Sequence, residues 1–426
     1  MILWFVDRKI RNQNQGSRIK NHELRGPLKL ACVIHRYGAE IAGGSEAHCR
    51  QIAERLSAAH EVSVLTTCAR DYVTWANAYP SGLTDVNGVR VTRFPVARPR
   101  SLKLFADLSD EVFGGRAAPG REEAWFRANG PDAPGLLEHL RARGCEYDLV
   151  LFWSYRYSTT YFGLPIVAER AVLVPTAEED PAIDLDVLDG YFARPAGYLF
   201  LTPEEDALVS ARAGRRLQPS AVVGIGLEPP TVAADRSTLA DLGVPDVYVL
   251  YLGRIDRNKG CHTLFEYFQE YLRDSRVDTT LVLAGPATIS IPSHPRIRAL
   301  GFVSDDVREA LLAHARALVV PSPYESLSIA LLEAWNHGVP ALVNAECRVL
   351  EGQVRRANGG LHYHSAWAFS EGLSFLLTRD AEAAALGRQG HAYVDREYRW
   401  PTVMARVEGL LDAVRSVRSQ ESGVRS

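Results

Sequence analysis

Short apolar runs alternate with amphipathic stretches from residue 28 onward. Residues 28–35, 62–67, 89–94, 148–153, 171–175 and 198–201 are apolar runs of strand length. Between the first two, residues 45–59 set Ala47, Ile52, Ala53 and Leu56 along one stripe at helical spacing. Pro229-Pro230 breaks the chain, a short helical segment follows at 237–242, and the alternation restarts. New strands are predicted at 247–252, 280–284, 317–321 and 341–343, with helices at 260–273, 305–314 and 328–337. Strands alternating with helices predict parallel sheets covered on both faces. The reading is α/β, two Rossmann-like doubly wound domains at 28–228 and 229–398. Ligands of such sheets bind outside the carboxyl ends of the strands, so the cleft between the halves is the expected site.

The remaining segments read differently. Residues 1–27 begin with the short apolar run Met1-Ile2-Leu3-Trp4-Phe5-Val6, turn polar over 7–26, and look like a flexible extension. Residues 98–135 are rich in Arg, Pro and Gly and carry Phe105, Phe113, Trp125 and Phe126, the composition of an irregular substrate-binding flap. Residues 399–417 have helical periodicity, and 418–426 read as a disordered tail.

At 426 residues the chain exceeds one ordinary core. Its 46% hydrophobic and 23% charged content is that of a soluble globular protein. A net charge of -3 argues against a nucleic-acid partner. The cysteines Cys32, Cys49, Cys68, Cys145, Cys261 and Cys347 are scattered, as in a reducing compartment. No run approaches the ~20 apolar residues of a transmembrane helix. A cytoplasmic protein is expected, the basic extension offering at most a peripheral contact with the inner face of a membrane. The oligomeric state is not legible.

Two segments carry the chemistry. The first, Gly253-Arg254-Ile255-Asp256-Arg257-Asn258-Lys259-Gly260, follows a strand. Lysine is scarce here: Lys9, Lys20, Lys29, Lys103 and Lys259 are all there are. A generic surface cation in this chain is arginine, so Lys259 at a helix start stands out. An ammonium suits phosphate as a point charge, and the Arg254 fork can grip two oxygens. The bland alternative is a pair of solvated loop cations. The second segment, Pro321-Ser322-Pro323-Tyr324-Glu325-Ser326-Leu327-Ser328, leads into a helix carrying Glu333. The step from Glu325 to Glu333 spans ~12 Å along a helix axis, with an anion-friendly helix start between them. Carboxylates accept hydrogen bonds from hydroxyls; alone, each could equally be a solvated helix glutamate.

Together, in this order, the segments resemble the donor-binding domain of retaining GT-B glycosyltransferases, glycosyltransferase family 4. Those enzymes carry G-R-x-x-x-x-K-G and E-x7-E segments, and Gly338-Val339-Pro340 also fits. The resemblance implies a GT-B fold whose C-terminal helix crosses back to an N-terminal, acceptor-binding domain. It implies that Arg254 and Lys259 hold a diphosphate, that Glu325 contacts the donor sugar and that Glu333 contacts the ribose. Gly285 and the segment Gly301-Phe302-Val303 would flank ribose and base, and Gly253 would also line the donor site. Gly43-Gly44 at a helix start resembles the family's glycine loop, facing the phosphates or an anionic acceptor. The implied donor is a UDP- or GDP-sugar, with no further cofactor and no metal. The implied acceptor is a hydroxyl on a glycan, a lipid-linked saccharide at a membrane or a small metabolite.

Two departures stand out. Ser326-Leu327-Ser328 replaces the usual Phe and Gly after the first Glu, and bulkier side chains there change how the backbone meets the sugar. Glu178 stands where many relatives place a histidine, so an acceptor replaces a donor of hydrogen bonds. Rival readings are a nucleotide-sugar epimerase on the same fold and an inactive nucleotide-sugar-binding protein. Asp184-Leu185-Asp186 matches a metal-binding D-x-D but lacks the preceding apolar strand. His362 and His364 share one face of a predicted strand without the cluster a zinc site needs.

Overall fold

A computed structural model describes residues 26–41, 43–115, 118–230, 236–275 and 277–424. The extension expected at 1–27 lies almost wholly outside the described residues. The first sheet comprises β1 (Lys29–Val33), β2 (Glu61–Thr67), β3 (Gly82–Val86), β4 (Val89–Phe94), β5 (Leu149–Trp153), β6 (Ala171–Val174), β7 (Gly197–Phe200) and β8 (Ser220–Val222). Their order is β3-β4-β2-β1-β5-β6-β7-β8. The second comprises β9 (Tyr248–Leu252), β10 (Thr280–Ala284), β11 (Ile297–Gly301), β12 (Ala317–Val320), β13 (Ala341–Asn344) and β14 (Gly360–Tyr363), in the order β11-β10-β9-β12-β13-β14. Every pairing is parallel except β3 with β4.

The order reverses direction at β1/β5 and again at β9/β12. Neighbouring crossovers part there, opening a crevice at the strand ends. Strands such as β5 and β10 are buried at every position, as expected of a sheet covered on both faces. One apolar cluster runs through both domains, taking in Leu201 and Ile225 from the first and Leu327, Leu331 and Trp335 from the second.

Four elements differ from the sequence reading. β3 is an edge strand with mostly exposed side chains, so no apolar pattern marked it. Its hairpin turn, Asn87-Gly88, has positive φ at both residues, as a two-residue turn matching strand twist requires. β8 and β11 are a short strand and an edge strand with too little apolar pattern to stand out. Residues 98–135 are not an irregular flap. They form helices Leu102–Phe113 and Arg121–Asn129 and lead into Pro134–Arg143. Trp125 and Phe126 are fully buried in the core beside β5. Apolar burial, invisible in a Pro- and Gly-rich composition, decided that segment.

The last helix, Trp400–Val424, runs on beyond 417 through part of the expected tail. It crosses back to pack on β7 and β8. Val414 lies over Gly197, His60 Nε2 meets Glu408 at 2.9 Å, and the Arg55 guanidinium sits 3.4 Å above the Trp400 ring. The chain thus passes between domains twice. The two crossings lie side by side, Leu227 N donating to Tyr398 O at 2.7 Å.

Candidate active site in the interdomain cleft

Glycines set the approach of the two loops. After β9, Gly253 N donates to Ala284 O at 2.9 Å and Ile255 N to Pro286 O at 2.8 Å. A Cβ on Gly285 would strike the Gly253 carbonyl. Gly260 has φ +70 and opens helix Cys261–Asp274. A Cβ there would strike the Pro321 carbonyl, so only glycine lets this helix start meet the end of β12. The result is contact between the two sequence segments: Lys259 Nζ donates to Glu325 Oε1 at 2.8 Å.

Asp256 organises the cationic side. Its Oδ1 accepts from Lys259 N at 2.7 Å, and its Oδ2 takes the Arg254 Nε. Arg254 Nη1 donates to the Tyr72 hydroxyl at 2.8 Å, from the first domain. Burial works against the charge on Lys259, yet Glu325 and Glu178 outweigh it and raise its pKa. The same balance, against Asp256, raises that of Arg254.

Glu333 sits on helix Ile329–Asn336 and is held by Arg308 Nη1. Burial raises its carboxyl despite that guanidinium. Glu309 extends the network to His337 at 2.8 Å. Phe302, just past β11, is 81% exposed at the strand end, whereas Val303 packs against the core.

The expected bulk at Ser326-Leu327-Ser328 is not in the cleft. Leu327 turns into the core. Ser328 caps helix Ile329–Asn336 through Leu331 N at 3.4 Å, a favourable N-cap. Ser326 O accepts from Thr202 Oγ1 at 3.2 Å, a further contact between domains.

On the opposite wall, helix Gly44–Leu56 begins at Gly43-Gly44. Gly44 faces Ile329, whose Cδ1 would lie 3.6 Å from an added Cβ. The starts of these two helices therefore face each other across the cleft. An added Cβ on Gly43 would run into the Glu46 carboxylate. Glu46 is buried, and His35 Nε2 and Arg36 Nε reach its Oε1 at 2.9 and 2.8 Å. Burial opposes its charge, but His35 and Arg36 hold the carboxyl well below the usual range. His35 itself is pushed down by burial and packs 3.8 Å from the Tyr157 ring.

Asp184 ends one short 3-10 turn and Asp186 begins another. His362 lies on β14, with His364 just beyond it. Among the described residues no three His, Cys, Asp or Glu side chains group as metal ligands, and no helix is long and apolar enough to cross a membrane.

Residues 246–379 match the family model described as Glycosyl transferases group 1. Glycogen synthase of Mycobacterium tuberculosis is 25% identical over 346 residues, covering 74% of this chain and 78% of that protein. The chain is a GT-B glycosyltransferase. The fold is seen again in sucrose-phosphate synthase from Thermosynechococcus elongatus, with a TM-score of 0.68 at 19% identity over 92% of this chain and 100% of that one. Anabaena HepE, solved with UDP and glucose, gives a TM-score of 0.64 at 14% identity over 90% and 99%.

In this glycosyltransferase Arg254, Lys259 and Glu325 converge, while Glu333 is engaged by Arg308. The sequence reading missed Asp256, Tyr72 and Arg308. Asp256 was within reach, since an Asp three residues before a helix-start backbone N–H is a common turn-forming pattern. Tyr72 and Arg308 arrive through tertiary packing and leave no local signal.

Proposed function

We propose that this glycosyltransferase belongs to family 4 and moves a hexosyl group, with retention, from a UDP- or GDP-sugar to a hydroxyl-bearing acceptor. The acceptor is a glycan, a lipid-linked saccharide or a small metabolite, and the reaction is a metal-independent front-side displacement in the cytoplasm. The observation that carries this reading is the Lys259–Glu325 contact at 2.8 Å, with Arg254 beside it, at the strand ends of a closed cleft. The UDP complexes of HepE support the donor class.

In this mechanism the diphosphate takes Lys259 and Arg254, which frees Glu325 to accept from sugar hydroxyls. Glu333 exchanges Arg308 for ribose hydroxyls, and Phe302 offers its bare ring to the base. The acceptor oxygen bonds to the anomeric carbon on the face from which the phosphate oxygen leaves. The acceptor proton passes to a donor phosphate oxygen. The protein stabilises the departing charge with fixed cations, each charged hydrogen bond contributing about 1.5–3 kcal/mol.

The test is nucleoside diphosphate release from UDP- and GDP-sugars. Lys259→Ala and Glu333→Ala should each fall at least about tenfold, and a chelator should change nothing. Near wild-type rates in both variants would sink the assignment, and strict Mn²⁺ dependence would sink metal independence.

A further inference from the structure

A pocket of about 480 Å³ opens where the two crossings between domains lie side by side. Neither Arg254, Lys259, Glu325 nor Glu333 lines it. Both domains build it. Val222 ends β8, and Gly224 follows in the first crossing. Gly224 has φ +62, and a Cβ there would strike the Tyr398 ring of the second crossing, so glycine lets the two segments touch. Helix Asp380–Glu397 supplies Tyr393 and Arg396, helix Arg348–Ala357 supplies Arg356, and the last helix supplies Arg406.

Three guanidiniums from three helices thus line one cavity. Arg356 is committed. Its Nη2 donates to Glu204 Oε2 at 3.0 Å and its Nη1 to Glu204 Oε1, across the domain boundary. Its Nε donates to the Tyr393 hydroxyl at 3.3 Å. Glu397 joins the other two. Its Oε1 accepts from Arg396 Nε at 2.9 Å and its Oε2 from Arg406 Nη2, while its carbonyl accepts from Arg406 Nη1 at 3.1 Å. Both oxygens of each carboxylate are therefore engaged, and three cations against two anions leave one positive charge.

Donors remain where acceptors are spent. Among the described residues Arg396 Nη1 and Nη2 meet no acceptor, and the side chain is 61% exposed, open to an incoming ligand. A guanidinium only donates, and its planar fork matches the oxygens of a phosphate. A phosphate alone leaves most of the cavity empty, since pockets of a few hundred Å³ hold whole small molecules. The remaining wall suits an uncharged body: the Tyr393 and Tyr398 rings, 5.5 Å apart at 69°, and the side chains of Val222 and Val223.

We propose that this pocket is a second ligand site, which takes a small phosphomonoester: the phosphate oxygens accept from the open Arg396 fork and from Arg406, and the body lies on the Tyr393 and Tyr398 rings. A phosphorylated sugar meets both demands, with an anionic head and a ring whose C–H face packs on an aromatic surface. Such a ligand ties the helix before the second crossing to the helix after it. The site shares no residue with the cleft and stands whether or not the donor reading does.

Calorimetric titration of the full chain with ribose 5-phosphate, inorganic phosphate and ribose tests this. The wild type should bind ribose 5-phosphate saturably, inorganic phosphate more weakly, and ribose not at all. Lys259→Ala, which removes the ammonium of the cleft, should keep a ribose 5-phosphate site of unchanged affinity. Arg396→Gln, at an exposed side chain whose loss leaves the fold intact, should weaken that site at least about fivefold, as the loss of charged hydrogen bonds at a partly screened position predicts. Arg396→Lys should recover only part of it, because an ammonium keeps the charge and loses the fork. Arg406→Gln should weaken it as well. Absence of saturable binding overturns the proposal, as does unchanged affinity in both Arg396→Gln and Arg406→Gln. Inorganic phosphate binding as tightly as the ester overturns it too, by leaving the body no role. Loss of binding in Lys259→Ala alone would place the phosphate in the cleft and overturn it equally.

Discussion

Tyr72 and Arg254 join the two domains across the cleft: the hydroxyl oxygen accepts from Nη1 at 2.8 Å, and the guanidinium lies 5.4 Å from the ring centroid. Arg36 lies 5.6 Å from the same ring, so one aromatic side chain serves a cation from each domain. A ligand phosphate at Arg254 competes with that hydroxyl.

Tyr72→Phe therefore should bind UDP more tightly. A charged hydrogen bond at a partly exposed site contributes about 1 kcal/mol net, which is roughly fivefold in affinity. Calorimetric titration with UDP measures it. Weaker binding would mean that Tyr72 holds the nucleotide rather than competing with it.

Glu325→Ala leaves Lys259 with Glu178 as its remaining carboxylate neighbour. Stranding one partner of a buried pair is costly, but Lys259 keeps 28% side-chain exposure, which screens the loss. A destabilisation of about 1–2 kcal/mol is expected, read from urea unfolding. Adding Lys259→Met should recover part of it, because the stranded charge is then gone. No recovery would place the cost in packing instead.

Glu205 makes stability depend on pH. Burial pushes its carboxyl up to about 8, outweighing the backbone donors Leu201 N and Ala177 N. The folded state therefore holds a proton that the unfolded state releases near the ordinary glutamate range. This contribution is complete below about pH 4 and is lost as pH rises through about 8. Melting temperatures from pH 5 to 9 should fall more steeply in the wild type than in Glu205→Gln. Parallel curves would refute it.

Gly260→Ala forces a side chain into left-handed backbone and against the Pro321 carbonyl. Strain of this kind costs on the order of 1–3 kcal/mol, and the helix start must back away from β12. The expected outcome is a lower melting temperature together with weaker UDP binding, since Lys259 moves with the helix. Gly409→Ala, where an added Cβ meets open space inside the last helix, is the control: UDP binding should be unchanged and the melting temperature should not fall, since alanine favours the helix.

The two cleft loops were readable because their chemistry is local. Arg254 and Lys259 follow one strand end and Glu325 another, and short spacings carry them to the cleft whatever the rest of the chain does. The central strands were equally plain, since burial on both faces demands uninterrupted apolar runs. What failed to show was set by partners distant in sequence. Trp125 and Phe126 looked like a flap until the core beside β5 claimed them. Leu327 looked like an obstruction to the sugar until its side chain turned inward. Glu178 read as a lost donor, and only tertiary packing shows that Arg156 lies 3.8 Å from its carboxylate.

The side-by-side crossings at Leu227 and Tyr398 bear on how the cleft opens. Two covalent connections tied by a hydrogen bond permit a swivel about their common line and resist sliding or twisting of one half over the other. Each opening and closing then retraces a single arc. Gly44 and Ile329, Thr202 and Ser326, and Tyr72 and Arg254 return to the same alignment at every turnover without any of those contacts having to be strong.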